Sequence, residues 1–208
     1  MIDAVFEFFE TGVCPGRIIL SDDPLRIKML AAHHLENAVL LYEQGDRLLY
    51  TGHYKGAEVA LFSAGFGCGA VLEFAQKAKK LGLEELIYIG ACTAVTDRYP
   101  LRAVILADGG SQGLLNRALT AAARYAIPAY VRTVLPPESA PGENIDITDS
   151  VAGSLYEQAG IDGVKALSIL TVSENTKTGE KMEEHELRSR FYAAARLVFE
   201  TMALVTDN

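Results

Sequence analysis

The chain has 208 residues, of which 50% are hydrophobic and 22% are charged, and its formal net charge is −8. This length suits one domain with a sizeable core, and the composition excludes a disordered chain. The acidic balance argues against a nucleic-acid surface, which needs clustered Lys and Arg. We therefore expect one globular domain over residues 1–208 that does not bind nucleic acid.

The cysteines Cys14, Cys68 and Cys92 are odd in number and far apart in the chain. They match neither a disulfide framework nor a zinc-site spacing, and the four histidines form no metal-ligand spacing either. The acidic first ten residues lack the basic region of a signal peptide, and no apolar run reaches the roughly 18 residues of a membrane span. We expect reduced thiols, no metal, no membrane contact and a cytoplasmic location.

The first half of the chain predicts alternating strands and helices. Residues 16–20 form an apolar strand, and Pro24 after two acids marks the start of an amphipathic helix over residues 25–35. Apolar residues at helical spacing predict another helix over residues 70–81, which Gly82 closes. Four further strands are predicted, at residues 37–43, 47–53, 57–63 and 86–90.

The second half continues the alternation and predicts the fold class. Strands are expected at residues 103–106, 129–134 and 164–172, with a loop at residues 136–142. Helices are expected at residues 114–125 and 149–159, followed by one long closing helix at residues 183–205. This order predicts a three-layer α/β/α domain with a mixed, largely parallel central sheet.

Several of these strands stop abruptly at small or polar residues. Ligands of open α/β sheets bind at the carboxyl edge of parallel strands, so the loops that follow are expected to meet at one edge. The strand over residues 164–172 ends in Ser173 and Glu174. This pair places one carboxylate in a pocket otherwise built from backbone and small side chains.

The glycine turn at residues 65–70, Gly-Phe-Gly-Cys-Gly-Ala, formally fits the G-x-G-x-x-(G/A) dinucleotide pattern. A dinucleotide-binding unit needs an acid at the end of the next strand, which here ends instead in residues 90–93, Gly-Ala-Cys-Thr. The alternatives are a tight strand-to-helix turn and a glycine-lined pocket where backbone approaches a ligand. The last of these is favoured.

Five segments in order resemble the nucleoside phosphorylase family, which comprises the purine nucleoside and uridine phosphorylases. Residues 20–26, Leu-Ser-Asp-Asp-Pro-Leu-Arg, are similar to the first phosphate loop of that family, and residues 50–56 are similar to its F-T-G-x-Y-x-G hairpin. The other matches are its glycine turn, helix and strand end at residues 62–95, its ribose motif at 148–153 and its last strand at 165–175.

The resemblance implies cleavage or transfer at the N-glycosidic bond of a purine or pyrimidine nucleoside, without a cofactor and with inorganic phosphate as a co-substrate. It also implies a pentosyltransferase of nucleoside metabolism that assembles as a homodimer or as a hexamer of three dimers. Glu174 stands where the family has a catalytic Asp, which protonates or hydrogen-bonds the leaving base. The implied substrate-binding positions are Arg26, Gly67, Tyr88, Gly90, Ala91, Cys92, Thr93, Asp149, Ser150, Val151 and Ser173.

Some of these positions depart from the family pattern. The family glycine at which phosphate meets bare backbone is Asp22, a family arginine is Tyr88, and the phosphate-binding Ser or Thr is Ala91. In the ribose motif, Met and Glu are replaced by Ser150 and Val151, so the bidentate carboxylate that grips the sugar is missing.

These departures leave three functions open: phosphorolysis, phosphate-independent hydrolysis, and ligand binding without catalysis. A hydrolytic nucleosidase would use Asp22 as its acid at the end of the first strand. A non-catalytic homologue would have lost the phosphate and ribose sites. Asp149 could substitute for the missing sugar-binding carboxylate, but its place at the start of a predicted helix favours a capping role.

Overall fold

The computed structural model describes residues 3–78, 80–138, 145–156, 163–189 and 191–204. Within these residues, an 11-stranded mixed sheet lies between two layers of helices. The predicted three-layer α/β/α architecture is therefore confirmed. In the described part of the chain, no helix is both long enough and apolar enough to cross a membrane.

The parallel centre of the sheet brings several strand ends to one edge. The main strand order is β2-β3-β4-β1-β5-β10-β6-β7, and β4, β1, β5 and β10 run parallel to one another. Their carboxyl ends therefore meet at the same edge, which we call the carboxyl edge. The strands are β1 (Arg17–Ser21), β2 (Glu36–Gln44), β3 (Arg47–Tyr54), β4 (Ala57–Ser63), β5 (Glu85–Ala94), β6 (Val104–Ala107), β7 (Ala129–Arg132), β8 (Val134–Leu135), β9 (Ile147–Thr148), β10 (Lys165–Asn175) and β11 (Glu180–Lys181).

The helices divide between the two faces of the sheet. They are α1 (Asp3–Glu10), α2 (Pro24–His34), α3 (Cys68–Lys77), α4 (Gln112–Arg124), α5 (Glu184–Ser189) and α6 (Tyr192–Ala203), and residues 152–156 are also helical. Helices α1 and α3 pack on one face with Ile18 and Leu20 of β1. Helices α2, α4 and α6 pack on the other face with Ile19, as strand alternation requires.

The predicted long closing helix over residues 183–205 is wrong, because two helices, α5 and α6, occupy that stretch. Phe191 lies before α6 with φ −89° and ψ 34°, outside the helical conformation. Its ring packs against the guanidinium of Arg26, with the guanidinium carbon 4.4 Å from the ring centroid. This long-range contact outweighs the local preference for one continuous helix.

Other elements differ from prediction mainly at their ends. The strand predicted at residues 86–90 continues to Ala94, because β9 pairs with Thr93 and Ala94. The strand predicted at residues 129–134 is interrupted at Thr133. Helix α1 and the short strands β9 and β11 are not predicted at all. Parts of the predicted loop at residues 136–142 and helix at residues 149–159 lie outside the described residues.

Candidate functional site

Four loops or strand ends converge at the carboxyl edge. Ser21 of β1 pairs with Ser63 of β4. The segment that resembles the first phosphate loop of the family and the glycine turn therefore begin side by side. On the other side, β1 pairs with β5 as far as Tyr88, and β5 pairs with β10 as far as Asn175. The structure thus brings most of the sequence-predicted site residues to one edge.

Arg26 is the central cation of this edge, although it is only 6% exposed. Its Nη1 donates to the hydroxyl of Ser21 at 2.9 Å and to the carboxylate of Asp22 at 3.3 Å. It also reaches the carbonyl oxygen of Ile89 at 3.5 Å, while Nη2 donates to the carbonyl oxygen of Leu187 at 3.4 Å. The guanidinium therefore already has protein acceptors from β1, β5 and α5.

The start of α2 holds Arg26 in this position. Asp23 caps the helix: its carboxylate accepts from the amide nitrogens of Leu25 and Arg26 at 2.9 and 3.4 Å. The same carboxylate lies 3.7 Å from Nη2 of Arg26, and the Phe191 ring covers one face of the guanidinium. Cap, ion pair and ring contact together fix the side chain.

Tyr88 fills the space above the end of β5. It is 1% exposed, and its ring lies over Gly90, so that a Cβ atom at residue 90 would be 2.5 Å from the Tyr88 hydroxyl oxygen. Burial first, and then the charges of Asp22 and Asp149, raises the pKa of the Tyr88 phenol well above its usual range. Tyr88 is therefore a neutral, buried side chain where the resemblance implies an arginine.

The charge of Asp22 changes what this edge can bind. Its side chain is 33% exposed and pairs with Arg26 across 3.3 Å. A second anion about 4 Å from this carboxylate would cost about 4 kcal/mol at an effective dielectric near 20. A charge-assisted hydrogen bond contributes about 1.5–3 kcal/mol in return. Asp22 therefore disfavours a free anion here.

Asp149 caps the helical residues 152–156, in agreement with the capping role favoured from the sequence. Its carboxylate accepts from the amide nitrogens of Val151 at 2.9 Å and Ala152 at 2.7 Å. Burial raises the pKa of Asp149 to about 6, and the charge of Asp22 adds to the increase, whereas the backbone hydrogen bonds oppose it. Asp149 therefore cannot offer two free oxygens to a sugar, since one of them already accepts from the helix backbone.

The segment that resembles the ribose motif is tied to the glycine turn. The thiol of Cys68, at the start of α3, donates to the carbonyl oxygen of Ser150 at 2.9 Å. Gly67 precedes it with φ +96°, a backbone conformation that favours glycine. Ser150 is exposed, whereas Val151 is 3% exposed and packs in the core. The Val151 side chain is therefore not available to a ligand at this edge.

Glu174 lies at the end of β10 beside Thr93 of β5. The register shifts between Val172 and Glu174, which leaves Ser173 in a bulge, and the Ser173 hydroxyl donates to the carbonyl oxygen of Cys92 at 3.2 Å. Bulges of this kind re-aim side chains next to binding sites. The Glu174 carboxylate is 39% exposed and lies 3.4 Å from Nζ of Lys181. An accessible acid therefore stands at the carboxyl edge.

The remaining predicted positions line β5 itself. Gly90, Ala91 and Cys92 lie in its last residues, with Cys92 buried and Ala91 partly exposed. Burial, followed by the charge of Asp149, raises the pKa of the Cys92 thiol well above its usual range. Among the described residues, no group of three His, Cys, Asp or Glu side chains is placed to hold a metal ion.

A cavity of about 380 Å³ opens beside the glycine turn, between that turn and the turn joining β2 to β3. Gly45 and Gly65 line it from the two sides, and the ring of Phe66 at its rim is 61% exposed. Its volume falls in the range of small-molecule pockets. Asp22 and Glu174 do not line it, so it neighbours the strand ends described above without containing them.

Sequence reasoning missed several residues that shape the site. Phe191 and Leu187 contact Arg26 from far along the chain, and no sequence pattern marks that contact. Lys181 could have been found, because Gly179 shortly after a predicted strand is a hairpin signal. Cys68 was visible in the glycine turn, but its bond to Ser150 depends on the fold.

Comparisons with known proteins agree with this architecture. The sequence model described as the phosphorylase superfamily matches residues 17–141. A DeoD-type purine nucleoside phosphorylase of Colwellia psychrerythraea is 29% identical over 94% of this chain and 95% of its own length. A DeoD-type purine nucleoside phosphorylase of Psychromonas ingrahamii is 30% identical over 88% of this chain and 89% of its own length.

A solved structure shows the same fold. The crystal structure of uridine phosphorylase from Vibrio fischeri, complexed with 6-hydroxy-1-naphthoic acid, superposes with a TM-score of 0.77 at 18% identity. The match covers 92% of this chain and 93% of that one. The strand ends, the sequence match over more than half of the chain and the full-length relatives converge on one conclusion: the chain belongs to the nucleoside phosphorylase family within the phosphorylase superfamily.

Proposed function

We propose that this protein cleaves the N-glycosidic bond of a purine or pyrimidine nucleoside. The observation that carries the proposal is the accessible carboxylate of Glu174 at the end of β10, beside Thr93 of β5. An acid in this position can give a proton or a hydrogen bond to the base as it leaves. The purine nucleoside phosphorylases among the relatives support the same reaction class.

The proposal assigns the other residues supporting roles. Ser173 and the backbone of Gly90–Thr93 form the wall next to Glu174, and the glycine turn at Gly67 forms the opposite wall. Inorganic phosphate is the co-substrate that the relatives' names suggest. Water is the second candidate, and the positions of Asp22 and Tyr88 favour it.

Assembly and location form part of the same proposal. A homodimer, or a hexamer of three dimers, is the state that the family resemblance implies, and light scattering coupled to size-exclusion chromatography measures it. The free thiols of Cys14, Cys68 and Cys92 fit a reducing compartment such as the cytoplasm.

The test is base release from a panel of purine and pyrimidine nucleosides, with and without phosphate, followed by chromatography. We expect release from at least one nucleoside. Glu174→Gln is expected to lower kcat by about 10²- to 10⁴-fold, because the amide cannot donate the proton. Glu180→Gln is the matched control, since this acid on β11 is exposed and accepts from the hydroxyl of Thr178 at 2.8 Å.

Two results would contradict the proposal. One is a folded wild-type protein that releases no base from any member of the panel, which would favour the non-catalytic binding homologue. The other is an equal loss of activity in the Glu174 and Glu180 variants, which would remove the specific role of Glu174.

A further inference from the structure

We propose that Tyr88 and Asp22 close the anion subsite at the ends of β1 and β5, so that the nucleophile is water and not phosphate. The inference rests on the proposed function for its nucleoside substrate. It gives Tyr88 a specificity-determining role, because this side chain decides which nucleophile can approach. The role of Tyr88 does not depend on which base the nucleoside carries.

The Tyr88 ring closes the subsite sterically. Gly90 is buried in β5 and has no side chain, so the space above its backbone is the kind of place that a ligand could enter. The Tyr88 ring occupies that space, with its Cε1 and hydroxyl oxygen each 2.5 Å from the place of a Cβ atom on Gly90. The ring is 1% exposed and packs in the core, so it is not a mobile cover.

The charges at this edge also oppose an incoming anion. The charge of Arg26 is already paired with Asp22 at 3.3 Å and with Asp23 at 3.7 Å. Burial, Asp22 and Asp149 keep the Tyr88 phenol protonated by raising its pKa. An incoming phosphate would therefore meet carboxylates whose partner cation is in use, whereas a neutral water molecule carries no charge to be opposed.

The Arg26 donors at this edge are engaged or buried. The two terminal nitrogens of Arg26 donate to acceptors on β1, β5 and α5, whereas its Nε has no hydrogen-bond partner but is buried away from solvent. Ala91 offers no hydroxyl at the position where the family resemblance implies a phosphate-binding Ser or Thr. Phosphate would find few available donors, because both terminal nitrogens of Arg26 are engaged by the protein and its Nε is buried.

The resulting reaction is hydrolysis. The oxygen of water bonds to the anomeric carbon of the sugar as the bond from that carbon to the base nitrogen breaks. Water gives up one proton to the carboxylate of Asp22, and the leaving base nitrogen gains one through Glu174, so that no proton is gained or lost overall. The products are the free pentose and the free base, and no further reactant is needed.

Product analysis distinguishes this inference from the proposed function. With a nucleoside that the protein cleaves and with excess inorganic phosphate, we expect free pentose at a rate that does not depend on phosphate. Pentose 1-phosphate as the product would overturn the inference and leave N-glycosidic cleavage standing. Release of no base at all would instead contradict the proposed function.

A binding measurement tests the closed subsite without catalysis. In isothermal titration calorimetry with inorganic phosphate, wild type is expected to show no saturable heat. The double variant Asp22→Gly/Tyr88→Ala is expected to bind phosphate at least about tenfold more tightly, because it removes one of the two carboxylates paired with Arg26 and clears the space above Gly90. Tyr88→Phe is the matched control. It keeps the ring over Gly90, so the subsite of this variant is expected to stay closed to phosphate.

Either of two results in this experiment would overturn the inference. The first is saturable phosphate binding by wild type or by Tyr88→Phe. The second is a folded double variant that binds phosphate no better than wild type. If the double variant does not fold, Asp22→Gly alone carries the test, since Asp22 lies in a partly exposed loop, and tighter phosphate binding is again expected.

Discussion

The ring of Tyr88 lies directly over Gly90, where it leaves no room for a Cβ atom: the Cε1 and hydroxyl oxygen would each be 2.5 Å away. We therefore expect Gly90→Ala to lower the free energy of unfolding by about 1–3 kcal/mol, which is the usual cost of overpacking a core. Urea denaturation of the two proteins measures the difference.

Gly69→Ala is the control for that substitution. A Cβ atom at Gly69 meets no atom within 4 Å, and the residue lies in α3, where Ala is favoured over Gly. This variant is expected to be as stable as wild type or more stable. Equal destabilisation by both alanines would show that the Tyr88 ring is not the obstacle at Gly90.

Removal of the Arg26 charge is expected to be costly. The guanidinium is 6% exposed and pairs with Asp22 and Asp23, so Arg26→Met leaves two carboxylates without their buried partner. Loss of one member of a buried ion pair costs about 3–5 kcal/mol. Urea denaturation checks the loss.

Lys28→Met serves as the matched control on the same helix. Lys28 pairs with Glu43 at 2.8 Å, but both side chains are well exposed, so solvent already screens the pair. The unfolding midpoint of this variant is expected to stay close to that of wild type. A comparable loss in both variants would mean that burial of Arg26 is not what makes its ion pairs important.

The partly buried cap Asp149 predicts a pH dependence of stability. Burial raises its pKa from 3.8 to about 6, so the folded protein binds more protons than the unfolded chain between these values. The contribution of this group to stability therefore falls as pH rises from about 4 to about 6, by at most about 3 kcal/mol, and stays constant above that window.

Asp149→Asn should remove this slope of unfolding free energy against pH, because asparagine caps helices without titrating. The measurement is the difference in unfolding free energy between wild type and variant, from urea denaturation at several pH values. Ser150→Ala, which changes an exposed neighbour without a titrating group, is expected to keep the wild-type slope. The same slope in wild type and Asp149→Asn would show that another group causes it.

The three thiols are expected to differ in reactivity. Burial raises the pKa of Cys14 to about 12, and Cys92 is also buried, whereas Cys68 is partly exposed. Titration of the native protein with Ellman's reagent should modify Cys68 first, and Cys68→Ser should abolish that phase. Because burial and the charge of Asp149 also raise the pKa of Cys68, its rate should increase toward alkaline pH. Equally fast reaction of all three thiols would contradict this order.

Local patterns in the sequence predicted much of the fold. The apolar run in β1 and Pro24 at the start of α2 specify their elements without help from distant residues. The break at Phe191 could not be predicted in this way, because it depends on a contact with Arg26. Strand β9 likewise exists through its pairing with the end of β5.

The candidate site likewise contains contacts that the sequence predicts and contacts that only the fold creates. Asp22 and Arg26 are four residues apart around a helix start, so their proximity follows from the sequence. Tyr88 over Gly90 could also have been predicted, because residues two apart in a strand share a face. The hydrogen bond from Arg26 to the carbonyl oxygen of Leu187 could not have been predicted, since 161 residues separate the two and tertiary packing decides the contact.

The contact of Arg26 with α5 and with Phe191 has a consequence for synthesis of the chain. Proteins emerge from the ribosome N-terminus first, so β1, α2 and the glycine turn exist before α5 and Phe191 do. Until those last segments dock, the guanidinium of Arg26 stays uncovered on one face and lacks the acceptor from Leu187. A nascent or truncated chain would thus offer anions a cation that the finished molecule conceals. The covering of Arg26 is thus completed only when translation is nearly complete.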